Sequence, residues 1–493
     1  MKFLILSTGT RQPAFGKWML GLLAIYLFAT NSSMVAQNFW TNPDLISGGD
    51  WQTPENWSLG TVPTASNETR IDNGGLAIIN GGSAATRAFI IGNTTAGNRL
   101  EILGSNFITR GVTLGSGTGS SGYVRLATGT NWTTNGSGTF SAFVVGSAGS
   151  GTLLIESGAI LHSGRTRIGI GAGTGEATVR GSWTWESNEG IGLQTANAIL
   201  NLGSGGKVSL VGDTKIVTLA GTLNVGGKIT AETAGRLNAE SVNGAGGAAT
   251  LNFNHTDTNY IFETETNTAI AITGTTNVHQ IAGVTTLTAA NTYTGTTSVT
   301  GGTLLVNGSL SASSDVTVSS AGTLGGTGSA GDIVVEGTLA PGNNGVGGFS
   351  ADNISLMSGA TLSIELGLQA GTPVSNHVQI EETFSLASGT NLQLALGSGL
   401  NAPSGGDIFF LVRNDGDDAI GGVFEQLNGI ATDLNEGSFF SWNAQQYQIT
   451  YLADFGSGVF TGGNDIALQV IPEPVSILLF GVGMMPLCFH RRR

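Results

Sequence analysis

Short apolar runs that end in glycine recur along the first half of the chain, and this repeat constrains the fold more than any other feature of the sequence. Five runs share the pattern: Phe89-Ile90-Ile91-Gly92, Val112-Thr113-Leu114-Gly115, Phe143-Val144-Val145-Gly146, Arg167-Ile168-Gly169 and Gly190-Ile191-Gly192. Their terminal glycines are separated by 23, 31, 23 and 23 residues. Self-similarity at such a period is typical of stacked structural units rather than of a closed globular domain.

Each unit carries the periodicity of β-strands. Apolar and polar residues alternate over short stretches, as in Gly151-Thr152-Leu153-Leu154-Ile155-Glu156, and Gly, Ser and Asn residues mark the turns between them. A coil of about 23 residues accommodates roughly three short strands, and neighbouring coils stack about 4.8 Å apart. The sequence therefore predicts an all-β protein with a right-handed parallel β-helix over residues of about 70 to 370, and the interval of 31 predicts one longer loop. A β-propeller would need units of about 40 to 50 residues.

Charge and cysteine content exclude some classes of partner, disulfide bonds and one class of metal site. Residues 37 to 474 contain 13 basic and 33 acidic residues, a net charge of −20, so the body repels phosphate backbones and we expect no nucleic-acid partner. The only cysteine is Cys488, near the C-terminus. A disulfide framework and a cysteine-based metal site are therefore excluded from the body.

The N-terminus has the order of a secretory signal. Lys2, Arg11 and Lys17 precede an apolar run at 18–29, which is followed by polar residues and by Met34-Val35-Ala36. Twelve apolar residues suit a signal peptide better than a membrane span. We expect residues 1–36 to be a signal peptide for the Sec export machinery, cleaved after Ala36, with a retained N-terminal anchor as the alternative.

The C-terminus carries a second address. Pro472-Glu473-Pro474 introduces a mostly apolar segment at 475–489, which is followed by His490 and Arg491-Arg492-Arg493. Fifteen residues of helix would cover about 22 Å of a hydrocarbon core roughly 30 Å thick, and the arginines would stay on the cytoplasmic side. A transient inner-membrane insertion, with everything before it exported, follows from this pattern, and an ordinary tail anchor is the alternative.

This tail resembles the PEP-CTERM sorting signal of Gram-negative bacteria. The residues that match the motif are Pro472, Glu473, Pro474, Arg491, Arg492 and Arg493. The resemblance implies recognition by an exosortase, a membrane-embedded transpeptidase, and an association with exopolysaccharide production.

Two internal stretches carry further resemblances. Residues 89–205, with Trp132, Trp183 and Trp185, resemble the repeat shared by type V secretion passengers and PEP-CTERM proteins. Residues 287–308, which include Asn291-Thr292-Tyr293-Thr294-Gly295, are similar to the autotransporter-associated β-strand repeat. Upstream, we interpret Trp51 and Trp57 as lids on the first coil, and a sugar-stacking platform is the alternative.

These observations divide the chain into six segments: a signal peptide at 1–36, an N-terminal cap with the first coils at 37–88, β-helix repeats at 89–245, β-helix with autotransporter-associated repeats at 246–370, a C-terminal β-rich cap module at 371–470 and a sorting segment with a membrane helix at 471–493.

The sequence offers few candidates for chemistry. The densest cluster is His255, Asp257, Glu263 and Glu265, in which the two glutamates would share one strand face about 6.6 to 7 Å apart, near the spacing of an inverting glycosidase pair. The five histidines, His162, His255, His279, His377 and His490, show no paired metal-ligand spacing. The run Asn414-Asp415-Gly416-Asp417-Asp418 could bind calcium but lacks the ligand order of an EF-hand loop, so we interpret it as a solvated turn.

We therefore predict no catalytic, cofactor or metal site. The expected function is that of an exported structural or adhesive protein of the bacterial surface or exopolysaccharide matrix, with surface glycans as its partners. One alternative is a β-helical polysaccharide lyase or hydrolase, which would show converging carboxylates in a groove. The other is a carbohydrate-binding repeat protein, which would expose rows of aromatic residues on one face.

Overall fold

The structure is a computed structural model that describes residues 35–134, 142–186, 191–213, 215–343, 345–415 and 418–472. Within these ranges the regular structure consists of β-strands and one short 3-10 helix, Pro54–Asn56. The predicted signal peptide before Val35 and the sorting segment after Pro472 lie outside the described residues. The all-β prediction is confirmed.

One parallel sheet runs through most of the molecule, and we call it the long sheet. It has fifteen strands, and at about 4.8 Å per strand it extends roughly 65–70 Å. In hydrogen-bonded order its strands are Gly49–Asp50, Leu76–Asn80, Asn98–Leu103, Ser121–Leu126, Ser150–Ile155, Thr174–Val179, Ala198–Leu202, Thr222–Gly226, Thr250–Asn254, Asn277–Ala282, Thr297–Val299, Val316–Val318, Ile333–Val335, Ile354–Leu356 and Phe384–Leu386.

Two further parallel sheets complete the N-terminal coils. Sheet N1 contains Gln37–Phe39, Glu68–Ile71, Ala88–Ile91, Gly111–Leu114, Phe143–Val145, Thr166–Ile168, Ile191–Leu193, Ile216–Leu219, Ser241–Gly244 and Ala271–Gly274. Sheet N2 contains Ser83–Ala85, Asn106–Thr109, Asn131–Thr134, Ile160–Ser163, Ser182–Glu186, Lys207–Val211 and Arg236–Asn238. The chain passes through N1, the long sheet and N2 in turn, which is the path of a parallel β-helix, and this predicted architecture is confirmed.

The later coils use different partners for the long sheet. Sheet C1 contains Tyr260–Ile261, Val284–Leu287, Gly302–Val306, Gly322–Gly326, Thr338–Pro341, Thr361–Gln369, Asn391–Leu396, Gln426–Leu427 and Ile430–Ala431, with Thr372–Ser375 paired to one side. Along the long sheet, Ser298, Thr317 and Val334 follow His279 at intervals of 19, 19 and 17 residues, so these coils are shorter than the earlier ones.

The chain closes in a mixed sheet, which we call C2. Its strands are Ser329–Ala330, Gly348–Ala351, His377–Ile380, Ile408–Asn414, Asp465–Val470, Gln445–Ala453 and Phe439–Trp442. The first four pair in parallel and the last three pairings are antiparallel. The predicted C-terminal β module is therefore present, and parallel stacking continues beyond residue 370 as far as Gln426–Leu427.

The core contains a column of residues in register on the inner face of the long sheet, and all of them except Thr297 are apolar. Its members are buried to 1% exposure or less: Ala77, Leu100, Val124, Leu153, Ala177, Leu200, Leu223, Leu251, Val278, Thr297, Val316, Ile333, Ile354 and Phe384. Full burial of one aliphatic side chain of this size contributes about 1.5–3 kcal/mol. Strand alternation makes this column possible, because it sends every second side chain inward at the same height in each coil.

Aromatic residues fill the N-terminal end of this core. Edge-to-face or tilted contacts, with ring centroids 4.6 to 5.8 Å apart, link Trp40, Trp57, Trp51, Phe89, Phe107, Trp132, Phe143, Trp183 and Trp185. Trp51 and Trp57 are buried, and the indole N–H of Trp57 donates to the Trp51 carbonyl at 2.8 Å. The burial fits the lid interpretation of these two residues, and it removes the sugar-stacking alternative because neither ring is accessible to a sugar.

The repeated glycines turn the chain out of sheet N1. Gly92, Gly115, Gly146 and Gly169 each follow an N1 strand and have φ values of 77°, 62°, 78° and 65°. The fifth predicted repeat glycine, Gly192, is wrong in register: it lies inside a strand opposite Arg167, and Gln194 makes the turn hydrogen bond to the Ile168 carbonyl. The additional residues of the 31-residue interval fall between Thr134 and Phe143, where residues 135–141 lie outside the described residues.

We expect Gly146→Ala to destabilise the protein more than Gly119→Ala does. Both glycines have positive φ, for which alanine costs about 1–2 kcal/mol, but an added Cβ at Gly146 would meet the Thr174 carbonyl oxygen at 2.1 Å, whereas at Gly119 it meets no atom within 4 Å. The clash should lower the free energy of unfolding by about a further 1–3 kcal/mol, measured by urea denaturation of the full chain. Equal losses in the two variants would contradict the stacking geometry.

Candidate functional site

The outer face of the long sheet presents a second column in register, one residue after the core column. Its members are Ile78, Glu101, Arg125, Leu154, Thr178, Asn201, Asn224, Asn252, His279, Ser298, Thr317, Val334, Ser355 and Ser385. We call it the outer column. Most of its members are polar, so it is the most extended regular arrangement of functional groups in the described part of the chain.

The N-terminal part of the outer column is an ion-pair ladder. Arg125 donates to Glu101 Oε2 at 3.0 Å on the preceding coil, and to both carboxylate oxygens of Glu156 at 2.8 and 3.2 Å on the following coil. Arg99 lies 3.5 Å from Glu101 and 4.8 Å from the ring centroid of Tyr123. The charges of three neighbouring coils therefore neutralise one another.

The middle of the column is a ladder of amides. The Nδ2 group of Asn224 donates to Asn201 Oδ1 at 2.8 Å, and that of Asn252 donates to Asn224 Oδ1 at 2.7 Å. Asn201 in turn donates to Glu176 at 3.0 Å and to Thr178 at 3.1 Å. Stacked asparagines polarise one another and pin the register of the coils that carry them.

A loop at residues 227–235 ties this ladder to the surrounding charges. Lys228 lies 3.0 Å from Glu176, and Glu232 accepts from Arg180 at 2.9 Å. The hydrogen bonds from Ser204 and Arg180 lower the pKa of Glu232, so its carboxylate stays ionised. Asn201 and Asn224 are buried although they project from the outer face of the sheet.

The histidine of the predicted acidic cluster is a core residue. His255 is buried, with Nε2 2.8 Å from Thr285 Oγ1 and Nδ1 3.7 Å from Asp257 Oδ2. Burial lowers the pKa of His255, and Asp257 opposes this shift. Asp257 Oδ2 also accepts from the backbone N–H of Ala234 at 2.7 Å. His255 and Asp257 therefore connect neighbouring coils.

The predicted strand face shared by Glu263 and Glu265 is wrong. Glu265 lies in a tight turn whose Asn267 has a positive φ of 57°, and the turn returns the chain so that Glu263 bridges Ala269. Glu265 Oε2 is 2.5 Å from Lys207 Nζ, which lowers the pKa of Glu265. These glutamates therefore contact different partners from His255 and Asp257, and the structure does not bring the four residues together.

The other histidines and the run 414–418 lie in different parts of the fold. His162 lies in an N2 strand, His279 in the outer column and His377 in sheet C2, while His490 lies outside the described residues. In the run 414–418, Asn414 is buried and its Nδ2 group donates to the Asp418 carbonyl at 2.7 Å, whereas Gly416 and Asp417 lie outside the described residues. Among the residues with described positions, no group of three or more His, Cys, Asp or Glu could hold a metal ion.

The terminal motifs are only partly placed. Ala36 is exposed directly before the first strand. Pro472 lies against Gly405, where an added Cβ would come within 2.8 Å of Pro472 Cα, while Glu473, Pro474, Arg491, Arg492 and Arg493 lie outside the described residues. None of the helices in the described ranges is long and apolar enough to cross a membrane.

No protein-family model and no curated protein matches this sequence. The interpretation of the outer column as a functional site therefore depends on its geometry alone. Sequence reasoning missed it, although the signal was there, since Thr178, Asn201 and Asn224 recur at the same 23-residue interval as the glycines. Aligning the units on their inward residues would have placed these polar residues at one position.

Replacing Arg125 with Met should weaken the protein in a salt-dependent way. The change leaves Glu101 and Glu156 without their shared partner, and for partly exposed groups we expect a loss of about 0.5–1 kcal/mol in the free energy of unfolding. The loss should shrink at high NaCl, because salt screens exposed charges. Arg87→Met, at an exposed arginine outside the ladder, is the control, and an equal effect there would contradict the ladder.

Stability should fall as the pH falls through the histidine range. Burial lowers the pKa of His255, His279 and His377 in the folded protein, so below the ordinary value of 6.5 the unfolded chain binds more protons than the folded one. The urea midpoint should therefore be highest above that pH and decrease toward acid. A variant with Gln at all three positions should show a flatter pH dependence, and an unchanged slope would contradict this origin.

Proposed function

We propose that the protein is an exported structural or adhesive β-helix of the bacterial surface or exopolysaccharide matrix, sorted by an exosortase-type enzyme. The observation that carries the proposal is the outer column, a mostly polar row of side chains along a sheet of fifteen strands, of which Asn201 and Asn224 are buried. Its ionic groups, Glu101 and Arg125, pair with each other and with Glu156 across neighbouring coils. An arrangement of that kind suits extended contact better than chemistry at one point.

The net negative charge of the body is consistent with a location in a hydrated matrix. The body carries −20, and the cations Arg99, Arg125, Arg180 and Lys228 already pair with glutamates of the β-helix. A strongly acidic surface favours solubility and resists self-association. Hydroxyl-rich glycans are a suitable partner, because they can exchange hydrogen bonds with accessible serine and threonine side chains of this face, such as Ser298, Thr317 and Ser355.

Two alternatives make different demands on the same surface. A polysaccharide lyase or hydrolase needs converging carboxylates, whereas Asp257 and Glu265 bind separate partners. A carbohydrate-binding repeat protein needs accessible aromatic rows, whereas the tryptophans at 40, 51, 57, 132, 183 and 185 are buried. Tyr123 in the ion-pair ladder is half-buried, and the Arg99 guanidinium covers one face of its ring.

The position of Pro472 supports the sorting proposal in a specific form. The last strand ends at Val470, and the backbone N–H of Ile471 still donates to the Gln446 carbonyl at 2.8 Å. The Pro-Glu-Pro motif therefore begins directly at the edge of the folded body. A processing enzyme that cut at 472–474 would release the body with almost no tail.

Changing Pro472-Glu473-Pro474 to Ala should trap uncleaved protein in the inner membrane. The wild-type protein should appear at the surface or in the matrix with a C-terminus near residue 474, identified by mass spectrometry alongside cell fractionation. Changing Arg491, Arg492 and Arg493 to Ser should instead weaken the stop to translocation, because these charges hold the tail on the cytoplasmic side. Surface protein recovered with a peptide ending in Arg493 would show that the tail is retained.

A further inference from the structure

Sheet C2 carries a cleft that the proposed function does not use. It has a volume of about 450 Å³, within the range of small-ligand sites. Residues from several segments line it, among them Val346, Pro373, His377, Phe410, Arg413 and Phe455. The outer column belongs to the long sheet, so this cleft is a separate feature of the surface.

A β-bulge determines which side of the strand the Arg413 side chain faces. The register between Ile408–Asn414 and Asp465–Val470 shifts between Phe410 and Val412, and both Leu411 and Val412 are buried. In a regular strand Arg413 would face the same side as the buried Phe409 and Leu411. The bulge reverses this parity, so Arg413 projects into the cleft beside Phe410.

The guanidinium of Arg413 stacks on an aromatic ring, and the carboxylate of Asp465 acts on its charge without forming an ion pair. Its central carbon lies 3.7 Å from the ring centroid of Phe455, which packs edge-to-face on Phe410 at 5.2 Å. Its Nε group is buried without a hydrogen-bond partner. The nearby Asp465 uses its two oxygens to accept from the backbone N–H groups of Asn414 and Phe455, at 2.7 and 2.6 Å.

Arg413 therefore differs from the arginines of the ladder. Arg125 has carboxylates on both sides, whereas no carboxylate of the described residues forms an ion pair with Arg413. A half-buried guanidinium that forms no ion pair favours an anion, and its planar fork matches a carboxylate. In a body of −20, such a group marks a site where a negative ligand is accepted.

We propose that this cleft binds the carboxylate of a uronic acid residue in an acidic polysaccharide, with Arg413 as the anion contact. Phe455 is 44% exposed, so apolar ring surface remains for a sugar beside the guanidinium that covers one of its faces. Asp407 also lines the cleft, and its Oδ2 accepts from the Ser404 N–H at 2.6 Å. One cation beside one carboxylate suits a singly charged sugar with hydroxyl donors better than a phosphate dianion.

His377 sets the other wall of the cleft. Its Nδ1 lies 3.3 Å from the Ser375 carbonyl, which makes Nδ1 the protonated nitrogen and leaves Nε2 as an acceptor. An added Cβ at Gly348 would meet Nε2 at 2.5 Å, so the glycine provides room for the ring. The carboxylate site stands by itself, and the identity of the ligand as a uronate rests on the proposed matrix function.

The test is calorimetric titration of the full chain, purified in mild detergent, with trigalacturonate as the probe and maltotriose as its neutral counterpart. We expect trigalacturonate alone to bind. Arg413→Gln should weaken binding by about tenfold or more, and Arg413→Lys should weaken it less, because it keeps the charge but not the fork. Arg110→Gln, at an exposed arginine between sheets N2 and N1, is the matched control and should bind like the wild type.

A second measurement on the wild-type chain keeps the proposal independent of any folding defect. Phenylglyoxal should modify Arg413, as detected by peptide mass spectrometry, and trigalacturonate should protect it while maltotriose does not. Absence of uronate binding, or binding that Arg413→Gln leaves unchanged, would overturn the site. Equal or tighter binding of a tripeptide through its free C-terminal carboxylate would overturn the uronate and indicate a protein partner. These outcomes do not depend on where the cell places the protein, so they are separate from the test of sorting.

Discussion

Hydrogen bonding between strands of consecutive coils is the interaction on which the rest of this structure depends. Each coil is too thin to bury an apolar face by itself, and only a neighbour in register turns its inward leucines and valines into a core. The register is strict because a slip by one residue would move Leu200 outward and Asn201 inward together. The polar outer column is the necessary counterpart of the apolar inner one.

The same constraint explains how far sequence reasoning reached. The period and the alternation predicted the parallel β-helix, since both express a backbone repeat that each unit must satisfy. The positions of the glycines predicted the turns less well. The turn after sheet N1 needs a residue with positive φ only where the next coil approaches closely. Gly146 meets that condition, while Gly192 lies two residues before the corresponding turn.

The alternation of apolar and polar residues could not predict the direction of side chains at turns and bulges, where the alternation breaks down. Glu263 and Glu265 alternate in the sequence as strand residues do, but the hydrogen bonds of Thr264 with Asn267 and Thr268 close a turn there. Arg413 follows a run that reads as a regular strand, and a single bulge decides which side it faces. Such exceptions depend on tertiary pairing, so only the structure reveals them.

The buried tryptophans of the described core all lie toward the end of the chain that is synthesised first. Contacts run from Trp40 to Trp185, while the inner column beyond Val278 contains mostly Val, Ile and Thr before Phe384. Because each coil needs only the coil before it, the N-terminal coils can pack while the rest of the chain is still emerging from a ribosome or an export channel. In the export proposed above, folding in this order would oppose backward movement of the chain.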